Sequence, residues 1–285
     1  MRPGREGRVL ILSTSPDLGP SSPDLRSPVV VSEARPLESR HIAGMRVDRT
    51  NYEDAASRIV AWGKQRESRY VCVASVNNVM ESRASEAFQQ IMNLADLVTS
   101  DGMPLVWSLK LLGLRDATRV YGPDLTPILC ERAAEAGVPV GFYGGTPDVL
   151  ESFIANLKAR FPKLQVVYRF APPFRAPTEE EDRQVDQEII DSGAGIVFVG
   201  LGTPKQELWM AARRGKVPAV MVGVGAAFDF LAGVKKQAPS IMQRMGLEWL
   251  FRLCSEPRRL WKRYLYRNPR FVFLLVKQLA AHGRD

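Results

Sequence analysis

Residues 70–74, 138–143, 194–199 and 219–222 are runs of four to six residues without a charged side chain, each set between segments of helical character. A strand that keeps no polar face cannot lie on a protein surface, so such runs belong to a sheet covered on both sides. Strands alternating with helices along most of a chain specify α/β architecture, here a Rossmann-like, largely parallel sheet with helices on both faces. The same alternation adds strands at 42–47 and 164–168, the approach to a short buried strand at 94–98, and helices at 52–64, 81–93, 104–112, 125–136, 147–161, 179–192 and 204–213. With 285 residues the chain is long enough to bury such a sheet.

Three of these strands end in glycine: Gly144-Gly145, Gly200 with Gly202, and Gly223 with Gly225. Each turn feeds a helix or a helix-like segment. Glycine lets backbone N–H groups at a helix N-terminus approach a diphosphate, so three such turns together point to nucleotide binding. None has the P-loop spacing GxxxxGK[ST], and none gives GxGxxG as the first strand-to-helix turn. The turns alone leave a nucleotide-dependent oxidoreductase open as an alternative. After the second turn, Lys205-Gln206-Glu207 reads by spacing as a solvated first helical turn, with Glu207 complementing the dipole. The functional alternative puts Gln206 at the loop mouth, bonded to a sugar or phosphate.

Asp101 stands at the end of an apolar run and just before Pro104, a first-turn proline. An acid there lies at the carboxyl edge of the sheet, where open α/β folds build their sites. Spacing alone favours a simpler role, the cap of helix 104–112. Ser75 and Asn77 follow the strand 70–74 and can converge with Asp101 as a polar cluster, to which Arg119 would add positive charge. The alternatives are turn or cap residues for Asn77 and Asn78, and for Arg119 a surface cation lying over apolar neighbours.

The formal net charge of +8 is unevenly placed. Residues 241–285 hold ten of the 39 basic and three of the 31 acidic residues, so nearly all the excess lies in this tail. A local anionic partner is expected there. Trp249, Phe251, Trp261 and Tyr264 interleave with the cations, and the apolar stretch 271–281 is far shorter than the roughly 20 residues a spanning helix needs. That pattern suits an anionic membrane surface. The alternatives are a helix docked on its own core, a contact in a homo-oligomer, or a non-enzymatic anion-binding module gripping nucleic acid. The aromatic residues favour lipid, and no nucleic-acid partner is expected.

Residues 1–40, rich in Pro, Ser and Arg, read as a poorly ordered extension, and the apolar run 9–12 is too short for a signal-peptide core, so secretion is not expected. The division is therefore an extension over 1–40, an α/β core over 41–240 and a basic, aromatic appendage over 241–285. The two histidines, His41 and His282, lie outside the central part of the chain and leave Ser-His-Asp catalysis and histidine-rich metal sites unsupported. Cys72, Cys130 and Cys254 have no metal or disulfide spacing and read as free thiols.

Taken in order, Ser75-Val76-Asn77, the segment Ser100-Asp101-Gly102-Met103-Pro104 through Trp107, Arg119-Val120-Tyr121-Gly122-Pro123-Asp124, Tyr143-Gly144-Gly145-Thr146-Pro147, the stretch Gly200 through Trp209 and the stretch Gly223 through Gly233 resemble the WecG/TagA/CpsF glycosyltransferase family. The resemblance runs over residues 42–264. It implies transfer of a hexose or N-acetylhexosamine-type sugar from a UDP-sugar to a polyprenyl-diphosphate-linked saccharide, with inversion and no required metal or cofactor. It further implies Asp101 as the base and Ser75, Asn77, Arg119 and Gln206 in the substrate pocket. Ser75 stands where many members carry threonine, which keeps the hydroxyl. Metal-dependent glycosyltransferases usually carry an Asp-x-Asp pair, and the sequence has none, so glycine-loop amides and arginines are expected to meet the leaving diphosphate. The resemblance also implies that the appendage holds the enzyme at the cytoplasmic face of the plasma membrane as a peripheral protein, with Arg252 or Arg259 over the active site.

Overall fold

Side chains alternate across the central strands, and this alternation divides the core into two layers. In the computed structural model, which describes residues 37–282, β3 (Arg69–Ala74) sends Tyr70, Cys72 and Ala74 to one face and Val71 and Val73 to the other. The same division holds along β5 (Val140–Gly144), β7 (Ile196–Gly200) and β8 (Val220–Gly223). With β4 (Leu97–Ser100) and β6 (Val166–Phe170), these strands form among the described residues a six-stranded, wholly parallel sheet ordered β4-β3-β8-β7-β5-β6. Every apolar run read from the sequence as a parallel strand lies in it.

One face is covered by α1 (Tyr52–Lys64), α5 (Gly122–Ala136), α6 (Pro147–Arg160) and α9 (Ala227–Leu231), which bury Ile59, Leu129, Phe153 and Phe228 among others. The other is covered by α2 (Val76–Ala84), α3 (Glu86–Leu94), α4 (Met103–Leu111), α7 (Glu179–Ser192) and α8 (Lys205–Arg213). Helix starts follow local chemistry. Asn51, Ser85, Thr146 and Thr178 each cap a helix by accepting a backbone N–H.

The sequence reading differs from the structure at two places near the start. Residues 42–47, expected as one strand, are a hairpin of β1 (Ser39–Ile42) and β2 (Met45–Asp48), because Ala43 and Gly44 turn the chain with φ of 50° and 93°. The helix expected over 81–93 is two helices, since Ser85 ends α2 in an extended conformation and caps α3. The extension expected over 1–40 falls, up to residue 36, outside the described residues, and Ser39 and Arg40 begin β1.

The basic segment is helical throughout much of its length: α10 (Ser240–Arg244), α11 (Glu248–Ser255) and α12 (Pro257–His282). One face of α12 docks on the molecule. Phe271 is buried in the core, Arg267 pairs with Glu81 of α2 at 2.5 Å, and Gln278 bonds to the hairpin at Ala43 N (2.9 Å) and His41 O (2.6 Å). The opposite face leaves Trp261, Leu265, Tyr266, Val272, Phe273 and Val276 exposed. No helix among the described residues is long and apolar enough to cross a membrane.

Candidate active site

The loops that leave β3, β4, β7 and β8 at their carboxyl ends surround a cavity whose outer side is formed by α10, α11 and α12. Ser75, Asn77, Asp101, Arg119, Gly202, Gln206, Gly225, Arg252 and Arg259 all line it, brought together from positions up to 184 residues apart. This is the edge at which parallel sheets present their loops.

Asp101 does not cap the helix that follows it. The N-cap of α4 is Gly102, with no side-chain cap bond, and Asp101 Oδ1 instead accepts the N–H of Gly122, the first residue of α5, at 3.0 Å. Val120 N donates to Ser100 O at 2.9 Å on the free edge of β4, which sets Asp101 beside the segment that enters α5, while Asp101 N itself donates to Ala74 O at 2.8 Å and continues the pairing with β3. Oδ2 makes no hydrogen bond to a described residue. Burial pushes the Asp101 carboxyl up to about 6, Arg119 beside it opposes that shift, and Glu248 adds to it.

Ser75 caps α2, and Asn78 completes the capping box by accepting the Ser75 N–H at 3.0 Å. The cap alternative raised for Asn77 and Asn78 therefore holds for Asn78, and the N-cap itself is Ser75. Asn77, one residue earlier than Asn78, meets Arg267 Nη1 through Oδ1 at 2.6 Å.

Lys205-Gln206-Glu207 is not a solvated turn. Gln206 is 3% exposed and Glu207 is 0% exposed. Glu207 Oε1 accepts from Asn78 Nδ2 (2.8 Å), Gln206 Nε2 (2.9 Å) and Thr203 Oγ1 (3.0 Å), so a carboxylate ties the loop after β7 to the start of α2. Burial raises its pKa, and these hydrogen bonds pull the other way. Gln206 Oε1 accepts the N–H groups of both Gly202 (3.2 Å) and Gly225 (3.1 Å). Two amides expected to face a diphosphate are thus bonded to a side chain of the protein.

Gly144, Gly145 and Gly200 are not among the lining residues. Gly144 and Gly200 are register partners on β5 and β7, and a Cβ on Gly144 would lie 2.7 Å from the Gly200 carbonyl. Gly144 and Gly200 thus permit close strand packing, and Gly145 takes a positive φ of 72° in the turn that follows.

Arg119 is no surface cation. Its Nε donates to Asp101 O at 2.6 Å, its Nη1 to Gln243 Oε1 at 3.2 Å and its Nη2 to Glu248, and its guanidinium lies 4.0 Å from the Tyr121 ring centre. Arg252 reaches the cavity from α11 with its guanidinium 5.7 Å from the Phe230 ring, and Arg259 pairs with Glu256 at 2.6 Å. Tyr121, Gln243, Glu248 and Arg267 are site residues that the sequence reading passed over. Tyr121 lies within the segment 119–124, and Glu248 and Arg267 are, in the sequence, charges among those of the tail.

The model of the glycosyl transferase WecG/TagA/CpsF family matches residues 40–285. A relative from Bacillus spizizenii, an N-acetylglucosaminyldiphosphoundecaprenol N-acetyl-beta-D-mannosaminyltransferase, is 30% identical over 221 residues, which cover 77% of this chain and 83% of that protein. An acid at the carboxyl edge of a parallel sheet, ringed by arginines and asparagines, is a site suited to group transfer from an anionic donor, and the chain belongs to the WecG/TagA/CpsF glycosyltransferase family.

Proposed function

We propose that this cavity transfers a hexose or N-acetylhexosamine-type sugar from a UDP-sugar to a hydroxyl of a polyprenyl-diphosphate-linked saccharide, in one displacement with inversion. Asp101 carries the reading. Its Oδ1 is fixed by the Gly122 N–H, its Oδ2 has no bond to a described residue, and its pKa of about 6 leaves it ionised yet basic at neutral pH. The acceptor O–H gives its proton to Oδ2 as the oxygen forms its bond to the anomeric carbon. The bond from that carbon to the UDP oxygen breaks, and UDP leaves with the electron pair. Arg252 and Arg259 meet the developing negative charge, a role in which preorganised cations stabilise the transition state most. Ser75 and Asn77 hold the sugars, while Gln206, bonded to Gly202, Gly225 and Glu207, keeps the two glycine loops in place around them.

The acceptor assignment rests on the family and on the relative, whose name specifies an N-acetylglucosaminyl-diphosphate-lipid acceptor. A lipid-linked acceptor requires an enzyme at the bilayer. The exposed face of α12 supports this by combining Trp261, Phe273 and four other apolar side chains with the exposed cations Arg258, Lys262, Arg270 and Lys277. Each basic residue near anionic lipid contributes about 1 kcal/mol. We place the protein peripherally on the cytoplasmic face of the plasma membrane.

A screen of UDP-sugars against N-acetylglucosaminyl-diphosphate-polyprenol in anionic vesicles tests the reading. Acceptor-dependent UDP release and a product of inverted anomeric configuration are expected. A product with the donor's configuration, or no transfer from any UDP-sugar, would overturn it.

A further inference from the structure

The nitrogens of Arg119 are engaged by protein oxygens: the Asp101 carbonyl, Gln243 Oε1 and Glu248 Oε2, with the Tyr121 ring against the guanidinium plane. The second oxygen of Glu248 accepts the Tyr121 hydroxyl at 3.0 Å, and burial keeps that hydroxyl protonated and able to donate. The Arg119 and Glu248 side chains are each 16% exposed, so the pair is shielded from the solvent screening that weakens surface ion pairs. Three of the five N–H groups of Arg119, one on each nitrogen, are thus bound within the protein, and its charge is already paired with a carboxylate.

The two sides of this cluster belong to different parts of the molecule. Arg119 and Tyr121 lead into α5 at the sheet edge, whereas Gln243 and Glu248 belong to α10 and α11, which form the outer side of the cavity. Glu248 is the first residue of α11. Arg252 stands four residues on, one helical turn away and on the same side of the helix. Whatever holds Glu248 therefore sets where the Arg252 guanidinium falls relative to Asp101.

We propose that Glu248 is a positioning residue: clasped by Arg119 and Tyr121, it fixes α11 against the sheet edge and so holds Arg252 over Asp101 for the departing diphosphate. Arg119 is then the fixed half of a joint between the core and the C-terminal segment, not a ligand for the diphosphate. The proposal rests on the transferase reading above, since it concerns how that site is completed.

Glu248→Ala, Arg252→Ala and the double variant, compared in the UDP-release assay with the lipid-linked acceptor, test it. Amide hydrogen exchange over residues 240–256 gives a second readout that needs no activity. Each single substitution is expected to lower kcat on the order of 10- to 100-fold with the donor KM within about twofold, because the interaction strengthens as charge develops on the leaving group. The double variant is expected to lose no more than about twofold beyond Arg252→Ala, since Glu248 acts through Arg252. Glu248→Ala is expected to speed exchange over 240–256, and Arg252→Ala to leave it near the wild-type rate. Multiplying losses in the double variant, or unchanged exchange in Glu248→Ala, would overturn the proposal. A wild-type protein that releases no UDP from any donor overturns the transferase reading instead, and the exchange measurement then still decides whether Glu248 holds the joint.

Discussion

Asp101, half-buried, and Glu207, fully buried, are two carboxylates at the same sheet edge with opposite hydrogen-bonding arrangements. Glu207 gathers three donors on one oxygen, from Asn78, Thr203 and Gln206, and its replacement by alanine leaves those buried groups without their acceptor. That substitution is expected to lower unfolding free energy by about 3 kcal/mol, read from the urea midpoint at constant slope. Asp101 has one backbone donor on Oδ1, and its raised pKa makes ionisation unfavourable to the fold. Because the folded value of about 6 lies above the ordinary 3.8, the stabilising contribution is present below the ordinary value and is lost as pH rises through 6. Asp101→Asn is therefore expected to be more stable than wild type at pH 7.5 by about 1 kcal/mol, with the difference vanishing below about pH 4, as followed by thermal melts across that range. Activity runs the other way. Only the ionised carboxylate accepts a proton, so kcat is expected to fall about tenfold per pH unit below roughly 6 and to level off above it.

Elements meet at this edge because glycine allows it. At Gly200 a Cβ would lie 2.8 Å from the Phe228 ring, and its register partner Gly144 presses on the same backbone. Gly200→Ala is expected to destabilise the fold by about 1–3 kcal/mol through this overpacking, measured by denaturant titration, with no direct effect on lining residues. The strands were legible in the sequence because a strand buried on both faces leaves an uninterrupted apolar run, and α1 was legible because Asn51 and the first-turn acids mark its start. The turn at Ala43-Gly44 was not, since the apolar pattern continues through it. The placement of Asp101, Ser75 and Asn77 at one edge followed from parallel topology. The burial of Glu207 did not, because a first-turn acid looks the same in sequence whether it faces water or three donors. Nor did the Arg119–Glu248 pair, whose members are separated by 129 residues and share no local period.

Over the whole molecule, the basic excess of the sequence becomes a two-sided helix. The inner side of α12 joins the core at Phe271 and the hairpin at Gln278, and the outer side keeps its aromatic and aliphatic residues exposed among cations. The inner side also lines the cavity, so the bilayer binding proposed for the outer side would set the cavity beside the lipid. Replacing Trp261, Leu265 and Phe273 together by serine is expected to abolish sedimentation with anionic vesicles while leaving the circular dichroism spectrum unchanged, and binding of the wild type is expected to weaken as salt rises. The most direct test of the account is UDP release by wild type and Asp101→Asn at pH 7.5, with N-acetylglucosaminyl-diphosphate-polyprenol in anionic vesicles and UDP affinity measured alongside. A loss of at least about 100-fold in kcat with UDP affinity held within about twofold is the predicted result. Wild-type turnover in the Asn variant would contradict it.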